Sequence, residues 1–163
     1  MRRAAAWLSL LLLVPACVPP APQRTQLEIR EFQTRSYETK DTKMVMKGLL
    51  NVLQDDGFIV KNANVDLGLI TATKEMDIEN KWEAFGAVLA AGENGRWKKN
   101  SIIECSGNIS DFGSQTRVRV NFQTKTLNNK GEVMSVGQIN EPAFYSTFFA
   151  KVDKGIFIQK EKL

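Results

Sequence analysis

Two stretches near the middle of the chain alternate strictly between apolar and polar residues, and this alternation limits the possible fold more than any other feature. Ile103, Cys105, Gly107 and Ile109 are interleaved with Glu104, Ser106, Asn108 and Ser110; Val118, Val120 and Phe122 are interleaved with Arg117, Arg119, Asn121 and Gln123. Successive side chains of a strand point to opposite faces, so a period of two predicts one buried and one wet face. That is the pattern of antiparallel sheets, whereas buried parallel strands read as continuous apolar runs.

The remaining segments supply partners for these strands. Residues 27–32, Leu-Glu-Ile-Arg-Glu-Phe, set Leu27 and Ile29 on one face and Arg30 and Phe32 on the other, which predicts an edge strand. A helix is expected over residues 41–57: Asp41 can cap its free amides, Val45, Leu49, Val52 and Leu53 recur on one face, widened by Met46 and Leu50, and Gly57 provides a left-handed stop. Asp55 and Asp56 fall at the end of that helix where the dipole disfavours negative charge, and they read as solvated charge before a turn. Residues 58–60 and 67–74 form a hairpin around the turn formers of 62–66, and Asn128, Asn129, Lys130 and Gly131 turn the chain into a strand over 132–139. Pro142 opens a final helix with Phe144, Phe148, Val152 and Ile156 four apart and Phe149 beside them. The sum is an α+β fold: an antiparallel sheet of about six strands packed on one face by two helices, with a short helical insert over residues 78–99.

The amino end has a different character. Arg2 and Arg3 precede an apolar run over 4–14, interrupted by Ser9, and small residues follow at Ala16 and Cys17. This is the layout of a secretory signal peptide, and the run is shorter than the roughly 20 apolar residues a membrane-spanning helix needs. Val14-Pro15-Ala16 fits ordinary signal peptidase, which would release a soluble protein. The stretch also resembles the lipobox of bacterial lipoproteins, in which an apolar residue and two small ones precede a cysteine that becomes the acylated first residue. Val14 and Ala16 match that pattern and Pro15 departs from it; a cysteine directly after the cut, in a chain with 2 in all, favours lipidation at Cys17. The resemblance implies a stable lipid anchor, and Val18 rather than Asp after the cysteine implies sorting to the outer membrane, facing the periplasm. The expected organisation is a signal peptide over 1–16, a lipidated cysteine and tether stiffened by Pro19, Pro20 and Pro22 over 17–26, and one periplasmic domain over 27–163.

Composition excludes several functions. Loss of residues 1–16 takes Lys+Arg from 22 to 20 against 18 Asp+Glu, leaving a net charge of +2 without a basic stripe, so no nucleic-acid partner is expected. The chain has 0 histidines, which removes the commonest general base and the commonest zinc ligand. "GENG" at 92–95 lacks the Lys-Ser/Thr of a phosphate loop. No metal or cofactor is expected, and no enzyme activity. With Cys17 acylated, Cys105 has no disulfide partner, and its place in an apolar alternation predicts a buried, unreactive thiol.

Taken together, the lipid cysteine, the helix ending in "LQDDGFIV", the hairpin ending in "LGLITATK", the alternating strands and the closing "EPAFYSTFFAKVDKGIFI" resemble the helix-grip domains of bacterial envelope lipoproteins such as those of BamC. The resemblance implies a non-catalytic domain that binds another envelope component; the chain would hold one such domain where BamC has two. Within the insert, Trp82, Phe85, Val88 and Leu89 make a one-sided helix, and Trp97 lies among Arg96, Lys98 and Lys99. Either this helix caps the sheet and tucks both tryptophans into the core, or Trp82, Phe85 and Trp97 form the partner-binding surface. A rival function is the enclosure of a small apolar ligand between sheet and helices. An open interior lined by Val118, Phe122 and Phe148 would suit that ligand, and a filled one would suit a protein partner.

Overall fold

The computed structural model describes residues 24–78, 96 and 98–161. Its elements run α1 (Gln26–Phe32), β1 (Thr34–Tyr37), α2 (Thr42–Asp55), β2 (Ile59–Asn64), β3 (Leu69–Asp77), β4 (Lys98–Phe112), β5 (Gln115–Asn128), β6 (Val133–Gln138) and α3 (Pro142–Glu161). The fold is α+β, with a 6-stranded antiparallel sheet in the order β1-β5-β4-β3-β2 and β6 also paired with β5. The alternating stretches form its central hairpin, in a register that sets Cys105 opposite Phe122 and Ile109 opposite Val118. All four side chains are buried, as the period of two requires.

Helices α2 and α3 cover that buried face. Asp41 caps α2 by accepting from the Met44 amide at 2.9 Å, and Gly57 leaves the helix end with φ of 81°. Val45, Leu49 and Leu53 are 0 % exposed; at roughly 1.5–3 kcal/mol for each fully buried side chain, packing holds α2 more firmly than its cap does. The two helices touch at glycines: a Cβ on Gly48 would lie 2.9 Å from Ile156 Cγ1, and one on Gly155 3.2 Å from Val52 Cγ2.

Two expectations need correction. Residues 27–32 are not an edge strand but most of α1. Thr25 and Glu28 form a capping box, the Thr25 hydroxyl accepting from the Glu28 amide and the Glu28 carboxylate accepting from the Thr25 amide, so the local hydrogen bonds favour a helix. The bonds from Thr25 hold the Glu28 carboxyl below its usual range. Ile29 is buried while Leu27 is 76 % exposed, which a strand with both on one face would not give. The edge strand in this part of the chain is β1, which pairs with β5 through Thr34 opposite Arg119. The first hairpin also turns later than expected: β2 runs through Asn64, and the turn ends at Gly68, where φ is +63° and a Cβ would stand 1.9 Å from the Ile109 carbonyl oxygen.

Along one edge of β5, β1 and β6 lie end to end and leave a gap between them. Val120 N–H reaches the Gln33 carbonyl at 2.9 Å, and Ile139 N–H reaches the Phe122 carbonyl at 2.9 Å. The Phe122 amide, which neither strand serves, donates to the Tyr145 hydroxyl at 3.2 Å. Tyr145 in turn donates to the Ile139 carbonyl at 2.9 Å and accepts from Gln33 Nε2 at 3.3 Å. One phenol of α3 thus fills the missing rung of the ladder, and its burial raises its pKa above the ordinary value.

Candidate functional site

Phe122 ends the inward alternation of β5 and is the hub of an aromatic cluster. Its ring centroid lies 4.9 Å from Phe144, 5.0 Å from Phe148 and 5.9 Å from Phe58, the first two edge to face. Phe144 and Phe148 are one turn apart on α3, and Phe58 follows the end of α2. Ile103 of β4 extends the apolar floor. Above it opens a cleft of about 470 Å³, bordered by Asp56, Lys74, Thr147 and Lys151.

The mouth of the cleft is charged. Asp56 closes the carbonyl end of α2, where a helix carries partial negative charge. Lys74 Nζ donates to the Asp56 carbonyl at 2.7 Å and sits 5.9 Å from the Phe58 ring centroid. Lys151 of α3 is ion-paired with the Asp56 carboxylate. Lys151 thus meets the carboxylate of Asp56 and Lys74 its backbone carbonyl, so two ammonium groups stand against one carboxylate charge and the mouth keeps a net positive charge over an aromatic floor. Such an arrangement can seat an apolar group that has a carboxylate beside it. Asp56, expected from the sequence to be solvated charge before a turn, keeps its side chain 24 % exposed and is ion-paired there with Lys151.

The interior behind this cleft is filled: Val118, Phe122 and Phe148 are 0 %, 1 % and 4 % exposed and belong to one continuous core. Cys105 is buried in that core, and burial pushes its thiol up to about 12, which leaves no thiolate for chemistry at neutral pH. The opposite face of the sheet is polar, with a smaller depression of about 360 Å³ among Thr71, Thr73, Ser106, Asn121 and Gln123.

Cys17, Trp82, Phe85 and Trp97 lie outside the described residues, as do residues 1–16, expected to be a signal peptide, and residues 79–95 of the expected insert. The structure brings together a different set: Asp56, Lys74 and Lys151, from three separate segments. One signal for them was present in the sequence. Ile70, Ala72 and Lys74 share the inward parity of β3, so a lysine occupies a position where the pattern calls for an apolar residue. No protein-family model matches the chain, and a search of curated proteins finds none similar to it.

Proposed function

We propose that this chain is a lipid-anchored, non-catalytic protein of the bacterial envelope, whose domain binds another envelope protein from the periplasmic side of the outer membrane. The order of basic start, apolar run, Ala16-Cys17 and prolines supports the anchor at Cys17. The cleft over Phe122 is the observation that carries the binding role. The core beneath it is packed, which favours a partner's side chain entering from outside over a small molecule enclosed between sheet and helices. An aromatic or aliphatic side chain of the partner would rest on Phe58, Phe144 and Phe148, with a neighbouring carboxylate against Lys74 and Lys151.

The test joins fractionation to crosslinking in intact cells. Cys17→Ser is expected to abolish lipid labelling and release the protein from membranes; unchanged membrane association would refute the anchor. A photoreactive residue in place of Thr147 is expected to give one discrete protein adduct, lost when Lys74 and Lys151 are both changed to Glu. An adduct pattern indifferent to those charges, or adducts only with lipid, would refute the partner reading.

A further inference from the structure

β5 carries basic residues on the face of the sheet that the helices leave uncovered, and they are not neutralised alike. Val118 and Val120 are 0 % exposed and point into the core, so Arg117, Arg119 and Lys125 point the other way. Lys125 Nζ donates to the Glu104 carboxylate of β4 at 2.6 Å. Arg117 lies between Ser36 of β1 and Ser110 of β4, and Arg119 between Thr34 and Asn108 of the same two strands. Among the described residues neither arginine is ion-paired. Glu38, which follows β1, accepts from the Gln115 side-chain amide instead.

Residues two apart on one strand face sit about 7 Å from each other, so the two guanidinium ions repel. Opposite charges on the neighbouring strands would offset that repulsion, but short hydroxyl and amide side chains take those places. Both arginines are nevertheless held. The Arg117 guanidinium carbon lies 3.7 Å from the Phe112 ring centroid, and Arg119 Nε is enclosed without a hydrogen-bond acceptor. Thr34 and Ser110 give their hydroxyl protons to the Arg30 carbonyl and to Asn108 Oδ1, at 2.7 Å and 2.6 Å. The Ser36 hydroxyl and the Asn108 amide nitrogen remain as donors beside the two forks.

We propose that Arg117 and Arg119 form a binding site for the phosphate group of a monoester. A carboxylate has one charge and two oxygens, enough for one guanidinium fork. A phosphate monoester carries roughly −1.5 to −2 at neutral pH and offers three free oxygens, so it can lie between both forks and cancel their repulsion. Ser36 and Asn108 would donate to it from either side. The site lies on the opposite face of the sheet from the cleft over Phe122, and the inference is independent of that cleft and of the anchor.

Inorganic phosphate, added to the full chain at constant ionic strength against chloride, tests the site by nuclear magnetic resonance. The backbone amides of Ser36, Asn108, Arg117 and Arg119 are expected to shift saturably. Arg117→Gln combined with Arg119→Gln should weaken binding by about tenfold or more. Arg119→Lys keeps the charge but not the fork and should weaken it several-fold, whereas Lys125→Gln should leave it unchanged. Phosphate should also raise the Tm of the parent and not that of the double Gln variant, whose own Tm without phosphate should not fall. Glycerol phosphate should compete for the site. Vesicles of phosphatidic acid in phosphatidylcholine that compete as well would place the ligand in a lipid headgroup, and vesicles without effect would place it in solution. Shifts confined to Phe58, Lys74 and Lys151, binding indifferent to both arginines, or glycerol phosphate that fails to compete would overturn the proposal.

Discussion

Replacing Tyr145 by Phe keeps the ring in the core and removes only the hydroxyl that fills the rung between β1 and β6. Three groups lose their partner at once: the Phe122 amide, the Gln33 side-chain amide and the Ile139 carbonyl. Tyr145 and Gln33 are both 0 % exposed, so the two donors are left dry, whereas Ile139 is half-buried and its carbonyl can recover water. At about 1 kcal/mol net for each neutral hydrogen bond, and somewhat more for a donor stranded without water, the loss comes to about 3 kcal/mol. For a chain of this size that lowers Tm by roughly 10 °C. Urea unfolding followed by circular dichroism should show a lower midpoint at an unchanged slope. Hydrogen exchange offers a local readout: the Phe122 amide, protected in the parent, should exchange freely in the variant. A stability loss under about 1 kcal/mol, or a Phe122 amide still protected, would refute the reasoning and mean that another group completes the ladder.

Alkaline pH should weaken the fold through its buried acids. Burial holds the Cys105 thiol up at about 12 against an ordinary 9.0, and it also raises Tyr37 and Tyr145 above their ordinary 10.0. Each binds its proton more tightly when folded, so stability should be flat below pH 9 and fall above it, by at most about 1.4 kcal/mol per pH unit per group. Urea midpoints from pH 7 to 11 check this, and Cys105→Ala should remove the first part of the fall; an equally early fall in that variant would contradict it. Gly48→Ala gains about 1 kcal/mol of helix propensity but pushes a methyl to 2.9 Å from Ile156 Cγ1. Overpacking of roughly 1–3 kcal/mol should win, and a raised Tm would show that the helices part cheaply.

The central hairpin can be read from the sequence because each of its inward positions carries its own burial signal, repeated over many residues. Residues 27–32 mislead because Leu27, Ile29 and Phe32 fit either period over so short a run; the Thr25 to Glu28 spacing, a capping signature, decides for the helix. β1 carries no legible hydrophobic pattern, since of Thr34, Arg35, Ser36 and Tyr37 only Tyr37 packs against the core and the strand is ordered mainly by pairing with β5. Phe122 and Phe148 are legible as inward residues, but the charges above them are not. Asp56, Lys74 and Lys151 meet only after a helix end, a strand and a distant helix have been assembled, and no local spacing encodes that meeting.

The placement of β1 against β5, and of α3 against α2, means that the first and last thirds of the chain complete each other. A chain emerging amino end first, from a ribosome or across a membrane, holds an unclosed half-sheet with its aromatic side bare until the terminal helix arrives to cover it. Closure is therefore a late event made of contacts distant in sequence, which slows spontaneous folding and keeps the nascent chain threadable until synthesis or transit is finished.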